Sequence, residues 1–182
     1  SGTIAMRFLP TELPGVFVVE PEPRTDERGH FARTWCREEF ASAGLATDWV
    51  QCNLSFNLRA GTLRGMHWQA APHEEVKLVR CTAGAAYDVV LDLRPQSPRF
   101  KHWVAVELTA ENRRAIYIPQ GCAHGYQTLT DATELFYHMS SAYHPESARG
   151  VRWDDPAFGI VWPSCANRVI APRDLSFPDF EA

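Results

Sequence analysis

The stretch Thr62-Leu63-Arg64-Gly65-Met66-His67-Trp68-Gln69 decides the fold, because it carries a histidine in an apolar segment with the composition of a β-strand. A second histidine comes much later, in Ile118-Pro119-Gln120-Gly121-Cys122-Ala123-His124-Gly125-Tyr126. Between the two lie several short alternating segments, which glycine and proline interrupt. Two histidines on strands that are distant in sequence predict a small β-barrel with a polar interior.

Short predicted strands continue along most of the chain, with turn residues between them at a spacing of roughly 8–12 residues. They cover 15–20, 30–35, 49–56, 103–108, 115–118, 125–129 and 134–140, besides the strands that carry His67, Lys77 and Asp88. Acidic residues in a first turn and a closing glycine predict one helix at 37–44. The tail from 144 to 180 is expected to wrap around the barrel with one or two helical turns. The sequence therefore predicts an all-β fold with short peripheral helices, in one domain that spans 6–182.

The overall composition is that of an ordinary globular protein. Of the 182 residues, 45% are hydrophobic and 22% are charged, and the net charge of −4 gives no indication of a nucleic-acid or membrane partner. No apolar run approaches the roughly 20 residues that span a bilayer, and no signal peptide is recognisable, so a cytoplasmic location is expected. Ser1-Gly2 ahead of Met6 has the character of a cloning remnant, and residues 1–5 are excluded from the fold.

The cysteines predict neither a disulfide framework nor a zinc site. There are five, at positions 36, 52, 81, 122 and 165, and no two of them form a Cys-x-x-Cys pair. An odd number without such a pair is typical of buried, reduced thiols in a cytoplasmic protein.

His67 is the first candidate for chemistry. On a strand, Gly65, His67 and Gln69 point to one face, while Met66 and Trp68 point to the other. The absent side chain at Gly65 is expected to leave open space beside the histidine, as in a ligand pocket. A histidine is suited to taking up a proton near neutral pH. The alternative is a core histidine that hydrogen-bonds to the backbone.

Lys77 and Arg64 are the candidate cations. Lys77 shares strand parity with Val79 and Cys81, so it points inward if they do, and a buried lysine needs an anionic ligand or partner. The alternative is a lysine at the rim that extends its charge to solvent. Arg64 has the opposite parity to His67, so the two can face one pocket only if the strand begins or bulges between them.

Tyr137 and His124 complete the candidates from the residues alone. Tyr137 lies on an otherwise apolar face, where a buried hydroxyl usually finds a partner, and the alternative to a functional role is a core tyrosine. His124 lies between Ala123 and Gly125, whose small side chains leave room for a ligand.

A series of motifs then resembles a known family. In chain order they are Asp26-Glu27-Arg28-Gly29-His30-Phe31, Val50-Gln51-Cys52-Asn53-Leu54-Ser55, Leu63-Arg64-Gly65-Met66-His67-Trp68-Gln69, Lys77-Leu78-Val79-Arg80, Asp88-Val89, Ser97-Pro98, Ala110-Glu111-Asn112, Ile118-Pro119-Gln120-Gly121-Cys122-Ala123-His124-Gly125 and Trp153-Asp154-Asp155-Pro156. Together they resemble the dTDP-4-dehydrorhamnose 3,5-epimerase family, over nearly the whole chain. The resemblance implies a cupin-type jelly-roll barrel, a homodimer that exchanges N-terminal strands, and neither metal nor cofactor. It also implies a nucleotide-linked 4-keto-6-deoxy sugar as substrate, with dTDP as the nucleotide, in deoxysugar or surface-polysaccharide biosynthesis.

The resemblance also implies roles for individual residues. His67 would remove the proton next to the C4 ketone, with Asp174 as the carboxylate that orients its ring. Lys77 would stabilise the enolate, and Tyr137 would return a proton from the opposite face. The substrate-binding residues would be Arg28 and Arg64 at the diphosphate, Phe31, Gln51 and Asn53 at the nucleoside, and His124.

The chain departs from the family pattern at four positions. Arg33 replaces a common glutamate near the nucleobase site, and Cys52 replaces a common aspartate. Ala142 stands where a second tyrosine is common, and His138 stands where lysine is common. These departures leave open the nucleotide and whether C3, C5 or both are inverted.

Two other function classes remain as alternatives. One is a cupin that binds a nucleotide sugar without turnover, although pure binding needs no His–Asp pair. The other is a metal-dependent cupin enzyme that uses a two-histidine, one-carboxylate set. Its ligands would come from His67, His73, Glu74, Glu75 and His124, but Gly65 occupies the place where metal cupins carry the first histidine of a His-x-His motif.

Overall fold

Two antiparallel β-sheets stacked face to face make up the fold. The computed structural model describes residues 5–181, so the excluded leader at 1–5 lies outside the described residues except for Ala5. The predicted all-β class is confirmed, because strands account for nearly all of the regular structure. No helix among the described residues has the length and apolar character needed to cross a membrane.

The first sheet contains six strands. In spatial order they are β1 (Met6–Pro10), β2 (Phe17–Pro21), β10 (Ala115–Ile118), β7 (Lys77–Ala83), β12 (Thr133–Met139) and β5 (Gln51–Asn57). All neighbouring pairs are antiparallel. The predicted strands at 15–20, 49–56, 115–118 and 134–140 correspond to four of these, to within two residues at each end.

The second sheet faces the first. Its spatial order is β13 (Ala148–Gly150), β6 (Thr62–Gln69), β11 (Cys122–Thr128), β8 (Ala85–Asp92) and β9 (Trp103–Thr109), and β14 (Val169–Ile170) pairs in parallel with β6. A separate hairpin joins β3 (Arg24–Asp26) to β4 (Gly29–Phe31). The helices are α1 (Arg37–Ser42) and α2 (Pro172–Leu175), and a 3₁₀ turn covers Pro145–Ser147.

The core lies between the two sheets, where their inward side chains meet. Val79 and Leu135 of the first sheet pack there with Val90 and Leu108 of the second, all with essentially no exposed surface. Burial of this apolar area is the main favourable contribution to folding. Towards one end of the same interior, polar side chains replace the apolar ones, and this end contains the cavity described below.

The structure corrects the predicted strand at 30–35. Only Gly29–Phe31 pairs as a strand, and residues 32–36 run to α1 without regular structure. Arg33 forms an ion pair with Glu39 of α1, and Trp35 packs its ring against Phe40. The side chains of this segment therefore pack on the helix, and the segment joins no sheet.

The cysteine prediction was correct about bonding and partly wrong about burial. All five cysteines are free. Cys81 and Cys122 are buried and Cys36 is half-buried, but Cys52 and Cys165 are exposed. Cys52 is exposed because it lies on the outward face of β5, an edge strand whose side chains alternate between cavity and surface.

Candidate active site

A cavity of about 410 Å³ opens beside His67 and continues into a deeper cavity of about 200 Å³. The two share His67, Lys77 and Tyr137 in their walls, so they form one site. Other residues around the outer part include Gln51, Asn53, Gln69, Glu75, Tyr143, Arg149 and Arg173, and others around the inner part include Ser55, Arg64, His124 and Tyr126. His67 belongs to one sheet, whereas Lys77 and Tyr137 belong to the other, so the site lies between the two sheets.

His67 is paired with Asp174. Its Nε2 lies 2.6 Å from Oδ1 of Asp174, and the backbone N–H of Gly65 donates to the other carboxylate oxygen at 3.1 Å. Burial alone would raise the pKa of Asp174, but the hydrogen bonds from His67 and Gly65 outweigh it and lower the pKa. The carboxylate is therefore ionised at neutral pH and is placed to stabilise a protonated imidazole.

The ring of His67 remains accessible from the cavity, with 39% of its side chain exposed. Phe177 meets the ring edge to face, with 6.2 Å between ring centroids. Phe177 itself lies over Gly150, where an added Cβ would come within 2.1 Å of its ring. The tail of the chain thus holds the orientation of the histidine through both Asp174 and Phe177.

Gly65 was expected to leave open space beside His67, and this prediction was wrong. A Cβ at Gly65 would lie 2.6 Å from the Cα of Gly125 and 2.8 Å from the backbone oxygen of His124. The glycine also has a positive φ of 125°, which other residues rarely adopt. Gly65 is therefore required because two strand backbones approach closely, and it creates no pocket.

The bulge that would bring Arg64 and His67 to one wall is present. Arg64 is opposite Tyr126 and His67 is opposite His124, so β6 uses three residues where β11 uses two. Both Arg64 and His67 consequently line the inner cavity. The Nε of Arg64 donates to Oδ1 of Asn57 at 2.8 Å, which fixes the guanidinium at the cavity wall.

Lys77 is nearly buried and has an anionic partner. Its Nζ lies 3.1 Å from Oε1 of Glu75, and both side chains are largely excluded from solvent. Lys77 also lies over the ring of Tyr137, 5.8 Å from its centroid. The prediction of an inward lysine with an anionic partner is thus confirmed, but sequence reasoning considered Glu75 only as a metal ligand.

Tyr137 lines both parts of the same cavity. It pairs with Asn53 across β12 and β5, and Asn53 also lines the outer part of the cavity. Burial raises the pKa of Tyr137, and the nearby Tyr126 and Glu75 act in the same direction, while Asn53 and Arg64 oppose it. The phenol is therefore protonated at neutral pH and available as a proton donor.

His124 forms a second His–Asp pair with Asp88. Its Nε2 lies 2.7 Å from Oδ2 of Asp88, which has no exposed surface. Burial raises the pKa of Asp88, although His124 and Lys77 oppose this effect. The sequence placed Asp88 on a predicted strand and in a family motif, but it indicated no role for this residue.

Two further tyrosines belong to the site and were not predicted. The hydroxyl of Tyr126 lies 2.5 Å from Oγ of Ser55, inside the inner cavity. Tyr143 lines the outer cavity, and its backbone N–H donates to Oε1 of Gln51 at 3.1 Å. Tyr143 directly follows Ala142, so a tyrosine lines the cavity next to the position where a second tyrosine is common in the family.

Gln69, which shares a face with His67, holds the rim together. Its amide donates to the backbone oxygens of His73 and Ala142, at 2.8 and 3.2 Å. Its Oε1 accepts from the backbone N–H of His144 at 2.7 Å. One buried side chain therefore connects the loop after β6 to the segment after β12, which carries Tyr143.

Two predicted substrate-binding residues, Arg28 and Phe31, do not line this cavity within their own chain. Arg28 lies on the β3–β4 hairpin, where it is strongly exposed and paired with Asp26 at 2.6 Å. Phe31, on the same hairpin, is exposed and lines a different cavity of about 350 Å³ together with Arg80. The other predicted members, Gln51, Asn53, Arg64 and His124, do line the cavity beside His67.

The four departures from the family pattern are at residues that do not line this cavity. Arg33 pairs with Glu39 at 3.0 Å beside α1, and Cys52 lies on the outward face of β5. His138 packs against Phe136 and Trp49 on the outer face of the first sheet. Ala142 contributes its backbone oxygen to Gln69.

The ligand set considered for a metal cupin is not assembled. His67 and His124 each bond their own aspartate, and within residues 5–181 the one cluster of three metal-ligand side chains is His73, His144 and Glu146. In that cluster the two imidazole rings stack in parallel, with centroids 3.4 Å apart and planes inclined by 13°. Nitrogen lone pairs on parallel rings do not converge on one ion.

Comparison with known proteins identifies the family of this chain. The sequence profile of dTDP-4-dehydrorhamnose 3,5-epimerase matches residues 10–182. A curated protein of that name from Sinorhizobium fredii is 40% identical over 177 residues, which cover 95% of this chain and 89% of the relative. A dTDP-4-dehydrorhamnose 3-epimerase from Streptomyces niveus is 38% identical over 170 residues, covering 93% of this chain and 81% of the relative.

Solved structures agree as well. The Bacillus anthracis dTDP-4-dehydrorhamnose 3,5-epimerase, solved with TDP and PPi bound, superimposes with a TM-score of 0.93 at 34% identity, covering 97% of this chain and all of the other. This similarity confirms the predicted cupin-type jelly roll. With a profile that spans nearly the whole sequence and relatives at about 40% identity, the chain belongs to the dTDP-4-dehydrorhamnose 3,5-epimerase family and is a sugar epimerase of that type.

Proposed function

We propose that this enzyme inverts C3, C5 or both in a dTDP-linked 4-keto-6-deoxy sugar. The observation that carries the proposal is the arrangement of His67, Lys77 and Tyr137 around one cavity. Inversion at carbon requires a base on one face of the sugar and an acid on the other. The base His67 comes from one sheet and the acid Tyr137 comes from the opposite sheet, so a sugar held between them would meet both.

The proposed reaction begins when His67 removes a proton from a carbon next to the C4 ketone. The electron pair of the broken C–H bond moves towards the C4 oxygen and forms an enolate, and Asp174 stabilises the imidazolium that results. The ammonium group of Lys77 donates a hydrogen bond to the enolate oxygen, without which the carbon acid is too weak for histidine.

The second half of the reaction returns a proton to the same carbon from the other face. Tyr137 donates its hydroxyl proton while the enolate collapses to the ketone, and solvent then restores the protonation of Tyr137 and His67. Atoms and electrons balance within the sugar and these two residues, so the proposed reaction requires no oxidant or cofactor.

The remaining cavity residues would bind the nucleotide. Arg64 has a guanidinium group fixed at the inner wall, and Arg173 lines the outer part, so both can contact a diphosphate. Gln51 and Asn53 line the route from the sugar site to the outside. The TDP and PPi in the Bacillus anthracis structure support a nucleotide diphosphate as the ligand class.

A homodimer is part of the same proposal. Arg28 and Phe31 match the family motif but point away from the cavity of their own chain, as expected if the hairpin reaches the site of a second subunit. In such a dimer, an exposed apolar surface on β5 and its ends would be buried against the same surface of the second subunit. It consists of Val50, Leu54, Phe56 and Leu58, which are each at least half exposed.

Subunit mixing tests this assembly. If Arg28 acts in the partner's site, then mixing inactive His67→Ala with inactive Arg28→Ala subunits should restore part of the activity, because one site of each hybrid has both residues intact. Light scattering should give twice the chain mass. A monomeric mass, or no recovery after mixing, would contradict the proposed assembly.

We also place the enzyme in the cytoplasm as part of the proposal. Five unpaired cysteines, two of them exposed, are suited to a reducing compartment.

Deuterium exchange tests the proposed reaction. The protein is incubated with dTDP-4-keto-6-deoxyglucose in D₂O, and label at C3 and C5 is counted by NMR. Label at both positions would identify a 3,5-epimerase, and label at one would identify a single-site epimerase, as the Streptomyces niveus relative is named. Tight binding without any label would reject the epimerase proposal and favour a binding protein.

A further inference from the structure

We infer that Glu75 determines which sugars the enzyme accepts, by using its free carboxylate oxygen to accept a hydrogen bond from the C3 hydroxyl. This inference rests on the proposed function, because it requires a 4-keto sugar in the cavity. Glu75 lies in the loop between β6 and β7, two residues before Lys77, and lines the outer cavity.

The two carboxylate oxygens of Glu75 have different surroundings. Oε1 lies 3.1 Å from Nζ of Lys77, whereas Oε2 is buried and has no hydrogen-bond partner. Only 6% of the Glu75 side chain is exposed. A buried carboxylate oxygen without a donor is costly, so a residue that needed only to neutralise Lys77 would be expected to satisfy both oxygens. Glu75 is instead one of the residues that line a cavity which, on the proposed function, receives a polar ligand.

The position of Lys77 identifies the donor. On the proposed mechanism Nζ of Lys77 contacts the C4 oxygen of the sugar, and Glu75 is in direct contact with the same Nζ. The group that reaches Glu75 must therefore be close to the C4 oxygen. Of the two carbons next to C4, C5 carries a methyl group and the ring oxygen, neither of which can donate. C3 carries a hydroxyl group, which is therefore the one hydrogen-bond donor on the carbons next to C4.

This contact would make the enzyme discriminate between 3-hydroxy and 3-deoxy sugars. A site built to hydrogen-bond a substrate hydroxyl strongly rejects the analogue that lacks it, because its own polar group then remains unpaired. Glu75 would thus select for the hydroxyl at a carbon where inversion also takes place. The contact acts on binding, and Glu75 transfers no proton in the mechanism.

The test compares dTDP-4-keto-6-deoxyglucose with its 3-deoxy analogue. Binding is measured by calorimetry, and deuterium exchange at C5 is measured in D₂O, since C5 is present in both sugars. For the wild type we expect the 3-deoxy sugar to bind about 30-fold or more weakly. In Glu75→Ala the preference for the 3-hydroxy sugar should shrink to about threefold or less, because the carboxylate that accepts its hydrogen bond is absent. Glu74→Ala, at the neighbouring residue outside the cavity, is the matched control and should keep the wild-type preference.

Three outcomes separate the possibilities. Equal binding of the two sugars to the wild type would overturn the inference even if the variants failed to fold. A Glu75→Ala variant that weakened both sugars by the same factor would also overturn it, since Glu75 would then act only as the counterion of Lys77. A preference in binding without any exchange at C5 would retain the role of Glu75 in selection while contradicting the proposed activity at that carbon.

Discussion

The two His–Asp pairs of this enzyme have nearly the same length but different surroundings. His67 and Asp174 are 2.6 Å apart, and His124 and Asp88 are 2.7 Å apart. The exposed fraction of the His67 side chain is 39%, whereas that of His124 is 10%. Burial would raise the pKa of Asp174, but its hydrogen bonds outweigh this effect and lower the pKa. For Asp88, burial prevails and raises the pKa.

The hydrogen bond to an aspartate therefore does not by itself distinguish the proposed base, His67, from His124. Asp174 receives a second hydrogen bond from the Gly65 backbone, which favours its charged form. Asp88 has an oxygen without a partner, so its charge is poorly stabilised. A histidine must reach the substrate and also have an ionised carboxylate behind it, and the His67 pair meets both conditions.

The largest difference is expected between alanine variants of the two histidines. His67→Ala should reduce the exchange of sugar α-protons by about 10²–10⁴-fold, since it removes the base. His124→Ala should have a much smaller effect on kcat and act mainly on KM, because His124 is predicted to bind substrate. Exchange in D₂O gives both values. Undiminished turnover in His67→Ala would exclude it as the base.

The aspartates should differ in the same way. Asp174→Asn should lower kcat by about 10²–10⁴-fold, because the amide cannot stabilise the imidazolium and favours the wrong tautomer. Asp88→Asn should change kcat by less than about tenfold, since it faces a buried histidine. Steady-state kinetics over a range of pH would measure both. Equal losses in the two variants would show that the pairs act as a unit.

Tyr137→Phe should separate the two halves of the reaction. With His67–Asp174 intact, the proton is still removed, so the substrate should exchange its α-protons with D₂O. Without the phenol the proton returns from the original face, so the yield of inverted sugar should fall by about 10²-fold. NMR distinguishes label from inversion in one sample. A parallel loss of exchange and inversion would indicate that Tyr137 positions the substrate and is not the acid.

The smallest effect is expected in folding stability, where the two aspartates should act with opposite sign. The pKa of Asp174 lies below its ordinary value of 3.8, so the stability it contributes is present above that pH and lost as pH falls further. The pKa of Asp88 lies above 3.8, so the folded state holds its proton more tightly and stability falls as pH rises through this range. Urea unfolding of Asp174→Asn and Asp88→Asn between pH 3 and 7 should therefore give differences from wild type with opposite slopes.

Strand parity predicted much of the site, because side chains alternate strictly on a strand. It placed Lys77 inward on the condition that Val79 and Cys81 are inward. It also required the strand to begin or to bulge between Arg64 and His67, and the structure contains a bulge there. Parity could not assign Glu75, since it lies in a loop before its strand begins. It also could not explain Gly65, because close contact with Gly125 arises only when two distant strands pair.

The tail was the least predictable part. Asp174 and Phe177 both reach His67 from a segment with little regular structure, more than 100 residues along the chain. No periodicity connects them to β6, and only the resemblance to a family assigned Asp174. The departure at Ala142 was a similar case, since only the structure shows that the neighbouring Tyr143 lines the cavity.

The extra residue of β6 between Arg64 and His67 sets the spacing of these two side chains along the cavity wall. On the proposed function, Arg64 marks the position of the diphosphate and His67 marks the position of the acidic carbon. Between them lies Gly65, where the strands approach so closely that an added Cβ would lie 2.6 Å from the Cα of Gly125. On that proposal, the enzyme would select substrates by the distance between phosphate and ketone as well as by their chemistry. In keto sugars with a longer or shorter link to their phosphate, the acidic carbon should lie too far from His67 to react, however well each end binds.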